Sequence, residues 1–181
     1  MAAPWREPEM STTNLRNRSS GLSTPPALSL RDRTLPRSEM LLAVGTGLGM
    51  LHHLDHVLRA DHSGWPFSPE VTPFTFSLLI YPIMVGVYLA RSQPWLRVAG
   101  TALVLVAVLL AHTLIETPGD QFGVWATGAS SEPYALGQTN LLQVQSPALG
   151  ILAVIISTLV SLALALALAG FIRDALRARA N

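Results

Sequence analysis

Between Pro147 and Ile172 the chain carries no charged residue. About 20 apolar residues suffice to cross a hydrocarbon core about 30 Å thick, so this run constrains the fold more than any other segment. Leu and Ala alternate from Leu162 to Ala169, a period that would suit a strand in a soluble protein, but the length of the run selects a helix from about Pro147 to Arg173. Three further apolar runs predict helices at about Glu39–Arg59, Pro73–Ala90 and Trp95–Glu116. Charged residues make up 13% of the chain, against roughly 25% in a typical soluble domain. The expected fold is an all-α integral membrane protein, a four-transmembrane-helix antiparallel bundle.

Residues 1–37 are rich in Ser, Thr, Pro and Arg and show no apolar stripe, so they read as a disordered cytoplasmic tail, with the membrane domain at residues 38–181. The first apolar run begins near residue 40 and leads into HHLDH, not into a small-residue cleavage site, so no cleaved signal peptide is expected. Pro82 falls in the middle of the second helix and predicts a kink there. Pro118 and Gly119 end the third helix. The stretch 117–146 is expected to be an outer loop, longer than the 2–8 residues usual in bundles.

All basic residues are arginine, which with the wealth of Ala and Leu suggests a GC-rich bacterial genome. Arginines precede the first helix, flank the second turn at Arg91 and Arg97, and follow the last helix at Arg173, Arg177 and Arg179. Four crossings put all of these on one side, and positive charge marks the cytoplasmic face. The expected location is the bacterial inner membrane, multi-pass, with both termini cytoplasmic and Arg59 alone breaking the pattern. Trp65, Trp95 and Trp125 fall near the expected interfaces, as an aromatic belt would.

The polar residues gather toward the outer face. His52, Asp55, His56 and Arg59 follow i, i+3, i+4, i+7 spacing and line one face of the first helix. His53 points about 100° away from His52, and with His62 is expected at headgroup level. On the third helix His112 and Glu116 are four apart. At roughly 1.5 Å per residue, His52 lies about 20 Å beyond Glu39 and His112 about 25 Å beyond Trp95, so the two groups sit at similar depth. Ionisable side chains at such depth usually face the bundle interior and pair with one another or bind something.

Several chemistries fit. His52, His56, His112 and Glu116 together suit a divalent transition metal such as zinc, copper or iron, with Asp55 orienting an imidazole and Arg59 balancing the carboxylates. One imidazole of the first helix with His112 would suit a single b-type haem. The plain structural alternative is an ion-pair network, Asp55 with Arg59 and His112 with Glu116, in a non-catalytic accessory or assembly subunit. A proton relay in a small proton-coupled transport component is a further alternative. Beyond the lipid bilayer, the partners expected are a second copy of the chain or a larger membrane complex.

Other functions are excluded or unsupported. With no cysteine there is no disulfide, thiolate site or covalently attached haem. GTGLG lies inside an apolar helix with no preceding strand, so it is no nucleotide loop. Gly45 and Gly49 instead form a GxxxG packing face. HHLDH resembles the histidine boxes of membrane desaturases, but those enzymes use more histidines than the five in this chain. No HExxH or GxSxG motif is present, and Ser130 and Ser131 have no partner marking a nucleophile. Ser157, Thr158 and Ser161 are expected to bond back to their own helix. Nothing points to nucleic acid.

Overall fold

The computed structural model describes residues 35–59, 73–131 and 136–180. Residues 1–34 of the expected N-terminal tail, His62 and Trp65 lie outside them. The described residues are mostly helical, with no named strand: α1 Arg37–Arg59, α2 Pro73–Ser77, α3 Ile80–Leu89, α4 Pro94–Leu110, α5 Pro118–Thr127 and α6 Pro147–Ala180. A π turn, Ala111–Ile115, continues α4. Two helical stretches are long and apolar enough to cross a membrane, Pro94–Ile115 and Pro147–Ala180.

α6 is the element around which the others pack, contacting α1, α4 and α5, while α3 packs on α4. The sequence of α6 explains this role, because its buried positions are small or apolar (Gly150, Ala153, Ser157, Val160, Ala163, Leu164, Ala167, Phe171 and Ala175). The core runs through Leu42 of α1, Met84 and Val87 of α3, Val104 of α4, and Leu164 and Phe171 of α6. Glycines sit at close approaches between these helices. A Cβ on Gly45 would stand 3.3 Å from the Leu164 side chain, where α1 crosses α6. A Cβ on Gly150 would stand 2.7 Å from the Phe122 carbonyl oxygen, where α5 lies on α6.

The expected second helix is divided. Pro82 has no N–H to give to the carbonyl four residues back, at Leu78. The chain turns at Leu78–Leu79, and the Leu78 carbonyl instead accepts from Tyr81 N at 3.2 Å. The disturbance therefore appears one turn before the proline. α6 extends to Ala180, past the expected end near Arg173, and its last turns carry Asp174, Arg177 and Arg179.

The stretch expected to be a loop contains α5. Thr117 and Asp120 form a reciprocal capping box, Pro118 stands in the first turn, and Gly128 closes the helix in the left-handed conformation at φ 84°. Beyond it, Leu141 N donates to the Leu58 carbonyl at 2.9 Å. That bond satisfies one of the carbonyls left open at the C-terminal end of α1.

Glu39 closes the opposite end. It is buried and accepts from Arg91 and Arg97, each at 3.0 Å. The Arg97 guanidinium also stacks 4.2 Å above the Phe171 ring, and Ser38 donates to Asp174 at 2.9 Å.

The crowding at Gly150 gives a direct test. Gly150→Ala should destabilise the protein by about 1–3 kcal/mol through overpacking against backbone. Gly47→Ala, at a position with nothing within 4 Å of the added carbon, should leave stability unchanged. Thermal unfolding followed by circular dichroism in detergent reads both, and equal midpoints would contradict this packing.

Candidate metal centre

α1 remains helical through HHLDHVLR, with Asp55 and Arg59 paired across one turn at 2.9 Å. On the other side of the site, the chain leaves α4 through the π turn, closed by Glu116 N donating to the Ala111 carbonyl at 2.9 Å. Glu116 itself is extended, at φ −133° and ψ 99°. The wider turn and the extended residue bring His112 and Glu116 to α1, whereas a continuous α-helix was expected to end there. π turns recur at functional sites in helices.

The structure brings together His52, His56, His112 and Glu116. His52 Nε2 and His112 Nε2 are 3.0 Å apart, and His56 Nε2 is 3.0 Å from Glu116 Oε2. His52 Nε2 is 4.0 Å from that same oxygen. Donor atoms of His52, His56 and Glu116 all lie within 4.8 Å of one another, with His52 and Glu116 buried and His56 nearly so. Donors on a tetrahedral ion with bonds of 2.0–2.1 Å stand about 3.3 Å apart, so these separations fit one ion after small adjustments. His52 Nδ1 is buried without a hydrogen-bond partner, so this ring meets its polar neighbours through Nε2.

A bis-imidazole haem fits poorly. Its iron would stand between the two nitrogens, about 4 Å apart at bonds near 2 Å, with the porphyrin plane between the rings. His52 and His112 instead meet edge to face, with ring centroids 4.7 Å apart.

The charged groups form one network. Arg59 has no exposed surface and pairs with both Asp55 and Glu116. Asp55 was expected to orient an imidazole. Its Oδ2 instead accepts from Arg59, and its Oδ1 accepts from the Trp125 indole at 2.8 Å. Gln121 donates to Glu116 at 3.3 Å and accepts from Ser157 at 2.7 Å. With neutral imidazoles, two carboxylates and one guanidinium leave a single net negative charge among these residues.

Three participants were not anticipated. Trp125 was read as part of an aromatic belt, yet it is buried and hydrogen-bonded to Asp55. Gln121 drew no attention within a supposed loop. Ser157 does bond back to its helix, at Val154, but also reaches Gln121. The T-P-G-D sequence at 117–120 was the available signal, since Thr followed by Pro and then an acidic third residue starts a helix. That helix places Gln121 and Trp125 one turn apart on the site. His53, expected at headgroup level, contacts Tyr81 Oη at 2.7 Å and Ser77 Oγ at 2.8 Å, tying α1 to α2 and α3.

No protein-family model matches this chain, and no curated protein or solved structure shows significant similarity to it.

Removing one partner of a buried ion pair strands the other charge, at a cost of about 3–5 kcal/mol. Arg59→Met should therefore unfold at markedly lower denaturant than wild type. Adding Glu116→Gln should recover part of the loss, so that the double variant loses less than the sum of the singles. Strict additivity would mean that the pair does not couple the two segments.

Proposed function

We propose that this chain is a multi-pass bacterial inner-membrane protein that binds one divalent transition-metal ion through His52, His56, His112 and Glu116. The convergence of three donor groups, His52 and His56 of α1 and Glu116 after α4, carries this reading, and His112 stands against His52 as the proposed fourth. Three imidazoles and a carboxylate are a donor set for zinc, copper or iron. The net negative charge of the buried network favours a cation. Arg59 holds the Glu116 carboxylate from its far oxygen, and Gln121 steadies it from α5. Such outer contacts fix ligand orientation and commonly matter nearly as much as the ligands.

The membrane assignment draws on the two long apolar helices. It also draws on the arginines other than Arg59, which collect around Glu39 and the end of α6, away from the imidazoles. α1 and the α2–α3 pair would supply the other crossings of a four-helix bundle, with both termini cytoplasmic and the site near the outer face. Resistance of the chain to alkaline extraction from membranes tests this part alone, and release into the soluble fraction would refute it.

Arg59 favours a second reading, in which the network is structural and the protein is an accessory subunit. The metal measurement separates the two. Purified protein loaded with zinc should hold about one ion per chain by elemental analysis, and His112→Ala should lose most of it, since ligand removal leaves an incomplete shell. Metal-free wild type with unaltered stability on adding zinc would leave the structural reading.

Protonation gives a further expectation. A protonated imidazole offers no lone pair, so zinc affinity should fall as pH is lowered from neutral into the acid range and be regained as pH rises again. Isothermal titration across this range checks the sign. Affinity that is flat with pH would argue against three imidazole ligands.

A further inference from the structure

A cavity of about 420 Å³ lies against the imidazole cluster. That volume is within the 300–1,000 Å³ typical of small-molecule sites. Its body is walled by apolar side chains, among them Ile80, Ile83, Val104 and Val108. Among the described residues, the polar side chains that line it form one contiguous group: His52, His53, His56, Ser77, His112 and Glu116. The cavity is therefore apolar along its length and polar at one end.

Among the described residues, Phe76, Leu79, Leu103 and Leu110 also line the cavity, and each is at least half exposed. The opening thus lies between α2–α3 and α4, on the sides of the helices, and its rim is hydrocarbon. In a membrane that flank faces acyl chains. A molecule reaching the cavity this way comes from the lipid phase, and a charged head would have to be desolvated to pass the rim. Ser77 donates to the Phe74 carbonyl and its oxygen accepts from His53 Nε2, which leaves that oxygen one further lone pair.

We infer that this cavity binds a single-chain lipid-soluble molecule bearing a neutral oxygen head, an alcohol or a carbonyl, with the chain along the apolar walls and the head among His52, His53, Ser77 and His112. The inference rests on the membrane reading above but not on the metal. If an ion is bound, the head lies beside it. If none is, the imidazoles and Ser77 hydrogen-bond the head directly.

The test uses the full chain in detergent, photolabelled with a diazirine-bearing hexadecanol and mapped by mass spectrometry. Label should concentrate on residues 74–83 and 103–115, and excess hexadecanol should suppress it while equal hexadecane does not. Ala107→Trp, which fills the cavity from a position holding no polar group, should reduce labelling about tenfold, equivalent to about 1.4 kcal/mol, and leave zinc content unchanged. Labelling as strong on the exposed α6 residues Ile151 and Ile155 would overturn the proposal, as would equal protection by hexadecane. If Ala107→Trp fails to fold, the competition arm decides by itself. Chelator-treated protein that still labels supports the cavity assignment whatever the outcome for the metal. Protein that holds zinc but labels without localisation refutes the cavity assignment alone.

Discussion

The fold at one end of this molecule depends on a guanidinium that has lost all contact with solvent. Burying an ion costs several kcal/mol unless opposite charge and hydrogen bonds surround it, and Arg59 meets that requirement with two carboxylates. Each carboxylate is then held from elsewhere. Trp125 of α5 holds Asp55, and Gln121 of α5, itself hydrogen-bonded to Ser157 of α6, holds Glu116. Satisfying one charge therefore brings α1, the π turn, α5 and α6 into a single arrangement. The imidazoles of His52, His56 and His112 are carried into contact as neighbours of that network.

The other end repeats the principle with the signs exchanged. There a buried carboxylate, Glu39, lies between two arginines, one of which stacks on Phe171 of α6. Leu42, Val104, Val160 and Leu164 occupy the apolar length between these polar ends. Apolar packing in such a core tolerates sliding and rotation more readily than a buried ion pair does. The two charged clusters thus fix the rotational setting of α1, while the small residues of α6 fix how closely it approaches.

Much of this was legible in the sequence for a simple reason. Apolar runs give helices, and helical rise turns residue numbers into depths, which puts His52 and His112 at the same level, where their rings do meet. What failed was local chemistry that period and depth do not encode. Pro82 was correctly read as a disturbance, but its effect is felt at the carbonyl it cannot serve, so the break falls at Leu78–Leu79. Pro118 was read as ending a helix when it also begins one, and with α5 unseen the roles of Gln121 and Trp125 could not be found. The i, i+4 rule put His112 and Glu116 on one face of an α-helix. The π turn presents them differently, and no pattern in AHTLI announces it.

The packing of α1 on α6 bears on how the molecule is made. Ser38 bonds to Asp174, and Gly45 admits Leu164, so α1 finds its principal partner only after all of α2 to α5 has been synthesised. Until α5 is made, the polar half of α1 lacks both Gln121 and Trp125. All four candidate donors exist once Glu116 is made, but Ser157, which holds Gln121, arrives only with α6. The Glu116 carboxylate therefore gains its last support when the final helix docks.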